Sequence, residues 1–417
     1  MPVSIGSARP NRSRISLSLP RAGVDGPAMT SEAGPRWVQV GHSTDRDAGP
    51  AGTAAARGAL RGPDPRLLVV FPSFGYDLAA LLAGVAAQAP GVPVIGCSTA
   101  GGIGPGPALG TGVVAVGFGG AFDVRTGHAT GLRDDPRGTG ERVATALLPL
   151  PRTGNRVALM LTDALAGDQQ EMIRGAYGVV GATVPLIGGG AADDMRMVTS
   201  QQFHGTEVLQ DSVVAASLGS DGPVAIAVRH GWRRYSDAMV VTGSAGNEVH
   251  TLDDQPALDV YLQRLHAPPG IDRDPAAFFD FSLTRPLAVC RRGDDAVRHV
   301  LGADPRTRTL RCAGGVPKGA SAWLMSGDAQ STLDAADGAC EEAIGALDGV
   351  PLQALLVFDC AGRRAVLGDD GVVAERAVMG KRVGDAALAG FYTYGEIART
   401  RGVNGFHNQT IVAVAFG

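Results

Sequence analysis

Cysteine, serine and histidine side chains next to glycine-rich turns are the natural candidates for covalent chemistry in this chain. The motif GCSTA comes one glycine short of the GxSxG elbow that presents a nucleophilic serine, because Ala100 stands where the second glycine belongs. A tight turn that needs small residues for its backbone geometry explains the motif equally simply. A hydrolase or transferase that uses Cys97, Ser98 or Cys360 with His407 therefore stays an open alternative.

Cys360 is the better candidate for a reactive thiol. Arg363 and Arg364 follow it closely, and a guanidinium group beside a thiol lowers the pKa of that thiol. Many cysteines after a buried strand are only small core residues, so both interpretations stay open. The chain has 5 cysteines without a CxxC pair, which indicates neither a disulfide framework nor a zinc site.

Non-covalent binding of a small ligand is the other chemistry that the pattern favours. The glycine-rich segments 96–102 and 188–190 each follow an apolar strand, and such turns expose backbone N–H groups that suit a ligand carboxylate. Asp193, Asp194 or Glu396 would receive an ammonium group, so an α-amino acid matches both ends. Helix capping or solvent exposure is the alternative role of each aspartate.

A dense polar and aromatic group near the C-terminus completes the candidate site, although a hydrogen bond within a terminal hairpin would explain it as well. The predicted ligand-binding residues are Cys97, Ser98, Thr99, Gly101, Gly188, Gly189, Gly190, Asp193, Tyr392, Tyr394, Glu396, His407 and Asn408. The dispersed histidines and the absence of HExxH, EF-hand and P-loop motifs predict no metal and no cofactor.

The composition of the chain argues against nucleic acid and membranes as partners. The 417 residues are 45% hydrophobic and 19% charged, with a net charge of -4, so no basic surplus is available for nucleic acid or an anionic membrane. No apolar run is long enough for a membrane span, and the N-terminus lacks the apolar core of a signal peptide. We therefore expect a cytoplasmic protein with a small-molecule ligand and a possible signalling partner protein.

An internal duplication positions these residues. The stretches 67–131 and 157–232 both read as strand, helix, strand and hairpin, and VPVIG at 92–96 aligns with VPLIG at 184–188. The paired polar loops predict a ligand site at the junction of the copies. We expect the two units to superpose about an approximate two-fold axis.

The interleaved helices and strands predict an α/β or mixed α+β fold with a smaller mixed C-terminal domain. Residues 1–35 are predicted to be a disordered tail, 36–265 the N-terminal domain, 266–285 a linker and 286–417 the C-terminal domain. A chain that starts at Met29 should keep its melting temperature. The predicted elements include strands at 37–40, 239–242, 355–358 and 411–416 and helices near 47–60, 137–148, 256–265 and 328–347.

Motifs in three regions, taken in order, resemble the FIST family. They are GCSTAGG at 96–102, PLIGGGAADD at 185–194 with the segment 240–265, and FDCAGRRAVLG at 358–368 with GFYTYGEIARTRGVNGFHNQT at 390–410. The resemblance covers about residues 37–417 and implies N-terminal and C-terminal FIST regions. The family is regarded as a sensory module of intracellular signal transduction, proposed to bind small ligands such as amino acids.

The resemblance implies a sensor more than an enzyme. Family members are sometimes fused to kinase, chemoreceptor or cyclic-nucleotide domains, whereas here the sequence ends at Gly417 without one, so a stand-alone sensor is expected. A eukaryotic F-box relative suggests a partner-recruiting scaffold as a weaker alternative. We expect the ligand pocket between the two domains, where Glu396→Gln would weaken binding with little loss of stability.

Overall fold

A computed structural model of the protein describes residues 34–108, 110–151, 154–290, 296–399 and 405–417. The α-helices are α1 (Ala48–Ala59), α2 (Leu78–Gln88), α3 (Pro136–Ala146), α4 (Gln169–Val180), α5 (Ala257–Arg264), α6 (Pro275–Leu283), α7 (Ala329–Gly345) and α8 (Ala361–Val383). The predicted tail, 1–35, lies outside the described residues except for 34 and 35, so the expectation that a chain starting at Met29 keeps its melting temperature stays a prediction.

The strands lie in the following order along the chain: β1 (Trp37–Ser43), β2 (Pro65–Pro72), β3 (Val94–Cys97), β4 (Gly102–Ile103), β5 (Val113–Gly119), β6 (Asp123–Thr130), β7 (Asn155–Thr162), β8 (Leu186–Gly190), β9 (Gln202–His204), β10 (Glu207–Leu209), β11 (Ser212–Ser220), β12 (Val224–Arg229), β13 (Arg233–Arg234), β14 (Met239–Ala245), β15 (Glu248–Leu252), β16 (Gln255–Pro256), β17 (Leu287–Cys290), β18 (Ala296–Arg298), β19 (Val300–Asp304), β20 (Thr309–Cys312), β21 (Ser321–Ser326), β22 (Ala354–Cys360), β23 (Ala387–Thr393), β24 (Glu396–Arg399), β25 (Phe406–His407) and β26 (Ile411–Phe416). Mixed sheets and helices confirm the predicted α+β class.

The predicted duplication is confirmed, with different bounds. The first sheet has the order β1-β5-β2-β3, and the second sheet has the matching order β6-β11-β7-β8. The parallel pair is β2 with β3 in the first sheet and β7 with β8 in the second, whereas β5 and β11 pair antiparallel with β2 and β7. Each copy therefore starts at the strand before its first helix, and the predicted hairpin 112–131 divides between the copies, with β5 in one sheet and β6 in the other.

A third copy is present, and the sequence interpretation missed it. The order β12-β26-β22-β23 repeats the pattern of the other two sheets, with β22 and β23 parallel and β26 antiparallel to β22. Its helices α7 and α8 occupy the places of α1 and α2. Because β12 precedes a long insertion and the other strands follow it, this copy joins the predicted N-terminal and C-terminal domains in one sheet.

The three copies exchange strands in a cycle. The β9-β10 hairpin of the second copy extends the first sheet at β3, and the β24-β25 segment of the third copy extends the second sheet at β8. The short β4 of the first copy extends the third sheet at β23. Each sheet is therefore completed by a segment from another copy, which ties the copies into a closed ring.

The alternation of side chains along the strands explains the layers. In β2, Leu67, Val69 and Phe71 face a central core that all three sheets share, whereas Leu68 and Val70 face the α1 and α2 helices. The second and third copies repeat the arrangement against α3 with α4 and α7 with α8. Both faces of each sheet are thus buried, as continuous apolar strands predict.

A glycine at the same register position in each copy allows the two parallel strands to approach. Gly96, Gly188 and Gly390 pair with Val70, Met160 and Val357, respectively. A Cβ atom on any of the three glycines would overlap the carbonyl oxygen of that partner. This shared steric requirement is an independent sign of the three-fold repetition.

The segment between β12 and α7 forms a separate sheet with the order β18-β17-β21-β14-β15-β20-β19 and its own apolar core. The predicted linker 266–285 is wrong, because most of it is structured as part of this unit. Pro275 starts α6, the Asp274 carboxylate caps it by accepting from the Ala276 and Ala277 N–H groups, and Phe278 is buried. No described helix is long and apolar enough to cross a membrane.

Candidate functional site

The glycine-rich segments do not expose their backbone as the sequence analysis expected. Gly188, Gly189 and Gly190 belong to β8 and are buried. The Gly190 N–H group donates to the Gly395 carbonyl at 2.9 Å, and the Ala100 N–H group donates to the Tyr392 carbonyl at 3.2 Å. These donors are taken because the neighbouring copy supplies a strand at this edge, so they are not free for a ligand carboxylate.

Ser98 and Thr99 are also committed to backbone partners. The Ser98 hydroxyl accepts from the Gln201 N–H group at 3.1 Å, and its carbonyl accepts from the Ala192 N–H group at 2.9 Å. The Thr99 hydroxyl donates to the Pro72 carbonyl at 3.0 Å. In this conformation both side chains hold the first-copy turn in place rather than facing a ligand.

Glu396 lies next to the second glycine segment, because it pairs with Gly189 across β24 and β8. The carboxyl group is fully buried and accepts from the hydroxyls of Thr393 at 2.6 Å and Thr410 at 2.7 Å. Burial raises the pKa of Glu396 to about 8, while these hydrogen bonds act in the opposite direction. The expected ammonium acceptor is thus a buried carboxyl within the fold.

His407 and Asn408 lie on the other side of Glu396. His407 pairs with Glu396 across β25 and β24, and its Nε2 atom is 3.0 Å from the Ala398 carbonyl oxygen. Asn408 is buried, and its Oδ1 atom has no hydrogen-bond partner among the described residues. Glu396, His407 and Asn408 of the predicted C-terminal group are therefore brought together next to Gly189, whereas Tyr394 bonds Asp193 and Tyr392 bonds Glu375.

Asp193 lies at the end of the second-copy turn, and both oxygens of its carboxylate accept hydrogen bonds. It accepts from the Met197, Val198 and Thr199 N–H groups at 2.8, 2.8 and 2.9 Å, and from the Tyr394 hydroxyl at 2.5 Å. Burial alone would raise the pKa of Asp193, but the bonds from Tyr394 and the three N–H groups lower it. Asp193 therefore stays ionised and fastens the segment 193–199.

The segment 193–199, the bridging loop, connects all three copies. Arg364 of the third copy forms an ion pair with Asp194 at 2.8 Å, and Arg196 lies over the Phe74 ring of the first copy at 5.4 Å. Asp194, Met195 and Met197 adopt positive φ angles of 57°, 67° and 56°. Non-glycine residues in this region carry strain, and such strain is concentrated at functional and switching segments.

The expectation of a reactive thiol at Cys360 is wrong with respect to its pKa. Burial, and next the nearby Glu396 carboxyl, raise the pKa of Cys360 well above its ordinary value. Arg363 is engaged elsewhere, with Asp359 at 2.6 Å and Glu375 at 3.0 Å. Burial raises the pKa of Cys97 in the same way, so both thiols are held protonated.

A cavity lies where the first and third copies meet, and we call it the seam cavity. Its volume is about 40 Å³, which is room for about three water molecules. The first copy supplies backbone and hydroxyl groups, and the third copy supplies Arg364 and Tyr392. The lining includes His42, Ser43, Thr44, Ser73, Gly101, Gly102, Thr111, Gly112, Arg364 and Tyr392.

Only part of the predicted set lines this cavity, namely Gly101 and Tyr392. The Tyr392 hydroxyl donates to Glu375 at 3.0 Å, so its ring is fixed, and the Arg364 guanidinium lies 5.8 Å from the ring centre. In the sequence Arg364 stands out only as a neighbour of Cys360. No local signal marks His42 or Ser73, because their position at the seam depends on the strand exchange.

Among the described residues, no group of three or more histidine, cysteine, aspartate or glutamate side chains is arranged to hold a metal ion.

Comparison with known proteins gives a consistent match at the level of sequence. The FIST N domain matches residues 66–255 and the FIST C domain matches 257–399. An uncharacterized protein of Mycobacterium tuberculosis is 28% identical over 91% of this chain and 99% of its own length. An uncharacterized protein of Mycobacterium bovis is 30% identical over 55% of this chain and 60% of its own.

Among solved structures, PurLQS from Thermotoga maritima aligns with 92% of this chain and 72% of its own, at 12% identity and a TM-score of 0.22. This likeness is too low to inform function.

Proposed function

Because the chain belongs to the FIST family, whose domains are associated with sensing in signal transduction, we propose that it is a cytoplasmic sensor that binds a small ligand at the seam cavity. The observation that carries the proposal is the position of Arg364. This guanidinium lines the cavity, is 28% exposed, and is held by Asp194, which is 62% exposed. A ligand that enters the seam thus meets a charged group whose present partner is easily replaced.

The lining favours a ligand that carries a carboxylate, and an α-amino acid fits best. Arg364 would bind the carboxylate, and the hydroxyls of Ser43 and Thr111 would contribute hydrogen bonds. Asp194, released from Arg364, would receive the ammonium group. Three or four charge-assisted bonds of about 1.5–3 kcal/mol each, less the costs of association and ordering, correspond to micromolar affinity.

The small volume of the cavity means that binding must change the structure. An amino acid does not fit into about 40 Å³, so the Asp194 to Arg364 ion pair would break and the bridging loop would move. Relief of the strained φ angles of Asp194, Met195 and Met197 would offset part of the cost of this movement. The loop already exposes Met197 and Val198, the latter by 79%, so its rearrangement would be readable by a partner protein.

Thermal shift against the twenty amino acids and a series of small dicarboxylic acids tests the proposal. A ligand at one hundred times its Kd should add about 2.7 kcal/mol to the free energy of unfolding. Arg364→Ala should abolish the shift. Arg382→Ala is the matched control, because Arg382 lies on the same helix and pairs with Asp337 away from the seam. An equal shift in wild type and Arg364→Ala would place the ligand elsewhere.

A further inference from the structure

The inserted sheet contains a second, larger cavity, of about 380 Å³, which lies within the range of sites for small molecules. It opens between the start of α6 and the β19-β20 hairpin, and we call it the hairpin cavity. We propose that it binds a small organic anion, namely a carboxylate on an apolar body. It shares no lining residue with the seam cavity and belongs to a different core.

The inner wall of the hairpin cavity is apolar. Phe278 is only 2% exposed and packs in the core of the insertion, and Leu301, Ala303 and Pro275 surround the opening. Gly302 lies between Leu301 and Ala303 and adds no side chain, so this wall stays open. An aromatic ring or a short aliphatic chain would gain about 25 cal/mol for each Å² of apolar surface that it removes from water here.

Two of the acidic residues at the rim are already neutralised or bonded. The Asp272 carboxylate is 2.6 Å from Arg308, which also contacts Asp259. The Asp304 carboxylate accepts from the backbone N–H groups of Arg306 at 2.8 Å and Thr307 at 3.3 Å. These groups hold the turn and the start of α6 in place, and they do not call for a cationic ligand.

Arg311 is the charged group of the lining that is available to an anion. Arg311 and Arg273 line the cavity, and Glu248 is the carboxylate not yet committed. Glu248 and Arg311 are cross-strand partners on β15 and β20, yet among the described residues neither side chain forms a hydrogen bond or an ion pair within 4.0 Å. The Arg311 guanidinium, which has no partner among the described residues, lies beside an apolar wall and so matches a carboxylate with an apolar body.

Phenylacetate is a suitable probe, with the neutral phenylacetamide and inorganic phosphate for comparison, measured by calorimetry on the full chain. Phenylacetate should bind saturably, and phenylacetamide and phosphate should bind more weakly. Arg311→Ala should weaken phenylacetate binding about tenfold or more, which is the loss of one charge-assisted bond. Glu248→Gln should tighten it, because a repelling charge is removed.

Lys318→Ala is the control for the loss of one positive charge, since Lys318 is exposed in the same insertion and does not line the cavity. Its affinity for phenylacetate should equal that of wild type. No saturable binding, equal affinity in Arg311→Ala, or phosphate that binds as well as phenylacetate would overturn the proposal. Arg364→Ala should keep phenylacetate binding. If it loses binding instead, the probe occupies the seam, and the hairpin cavity is excluded as its site.

Discussion

The turns after the core glycines of the first and second copies start from the same register position but end differently. Five residues after Gly96 stands Gly101, which borders the seam cavity, whereas five residues after Gly188 stands Asp193. Asp193 fills its own junction with four hydrogen bonds. The same scaffold thus gives an open junction in one copy and a closed junction in the other.

This difference indicates why one junction between copies leaves room for a ligand and the other does not. Where a carboxylate occupies the turn, the junction is satisfied by the protein itself and contributes stability. Where glycine occupies it, a space remains that Arg364 and Tyr392 of the third copy enclose. We infer that side chains at the turns, not the strand pattern, decide which junction is available to a ligand.

Replacing a core glycine should prevent the close approach of the two parallel strands, which is the feature that all three copies share. Gly390→Ala and Gly188→Ala should each lower the free energy of unfolding by more than about 3 kcal/mol, because the new Cβ atom would overlap a backbone carbonyl oxygen. Urea denaturation measures the loss. Gly178→Ala in α4 is the control, since no atom lies within 4 Å of its Cβ position, and it should be neutral or slightly stabilising. Equal effects would refute the steric argument.

Removing the Asp193 carboxylate from the closed junction should have the second-largest effect on the free energy of unfolding. Asp193→Ala should cost about 2–3 kcal/mol, because it leaves three N–H groups of the bridging loop without their acceptor. Tyr394→Phe should cost about 1 kcal/mol, since it removes one of the four bonds. If Asp193→Ala were no worse than Tyr394→Phe in urea denaturation, the carboxylate would not be what closes this junction.

The buried carboxyl of Glu396 should make stability depend on pH. With a pKa of about 8 in the folded state and 4.5 in the unfolded state, the folded protein binds the extra proton, so stability should fall as pH rises between these values. Glu396→Gln mimics the protonated group and should be more stable than wild type at pH 9 by at least about 1 kcal/mol. The exposed Glu141→Gln serves as the control, and a pH profile unchanged by Glu396→Gln would contradict the assignment.

Opening the ion pair at the seam should have the smallest effect on stability. Asp194→Asn should change the free energy of unfolding by less than about 0.5 kcal/mol, because the pair is exposed. Hydrogen exchange in the bridging loop should nevertheless become faster. Unchanged exchange at 194–198 would show that Asp194 does not restrain the loop.

The duplication was readable because both early copies keep the VPxIG pattern, a local signal at a fixed spacing. The third copy keeps only Gly390, in the sequence ALAGFYT, and the insertion separates its first strand from the rest. The cyclic exchange of strands has no local signal at all, because it depends on contacts between distant segments. For that reason the sequence brought Glu396 and Gly189 into one predicted site, but it showed neither their burial nor the role of Arg364.

The place of β26 has a consequence for how the protein is made. This strand consists of residues Ile411–Phe416 and lies inside the third sheet, between β12 and β22. During translation the first of these neighbours leaves the ribosome almost two hundred residues earlier than β26. Until β26 arrives, β12 and β22 both present unpaired edges, which attract other nascent chains. The growing polypeptide therefore exposes both strand edges until β26 is synthesised.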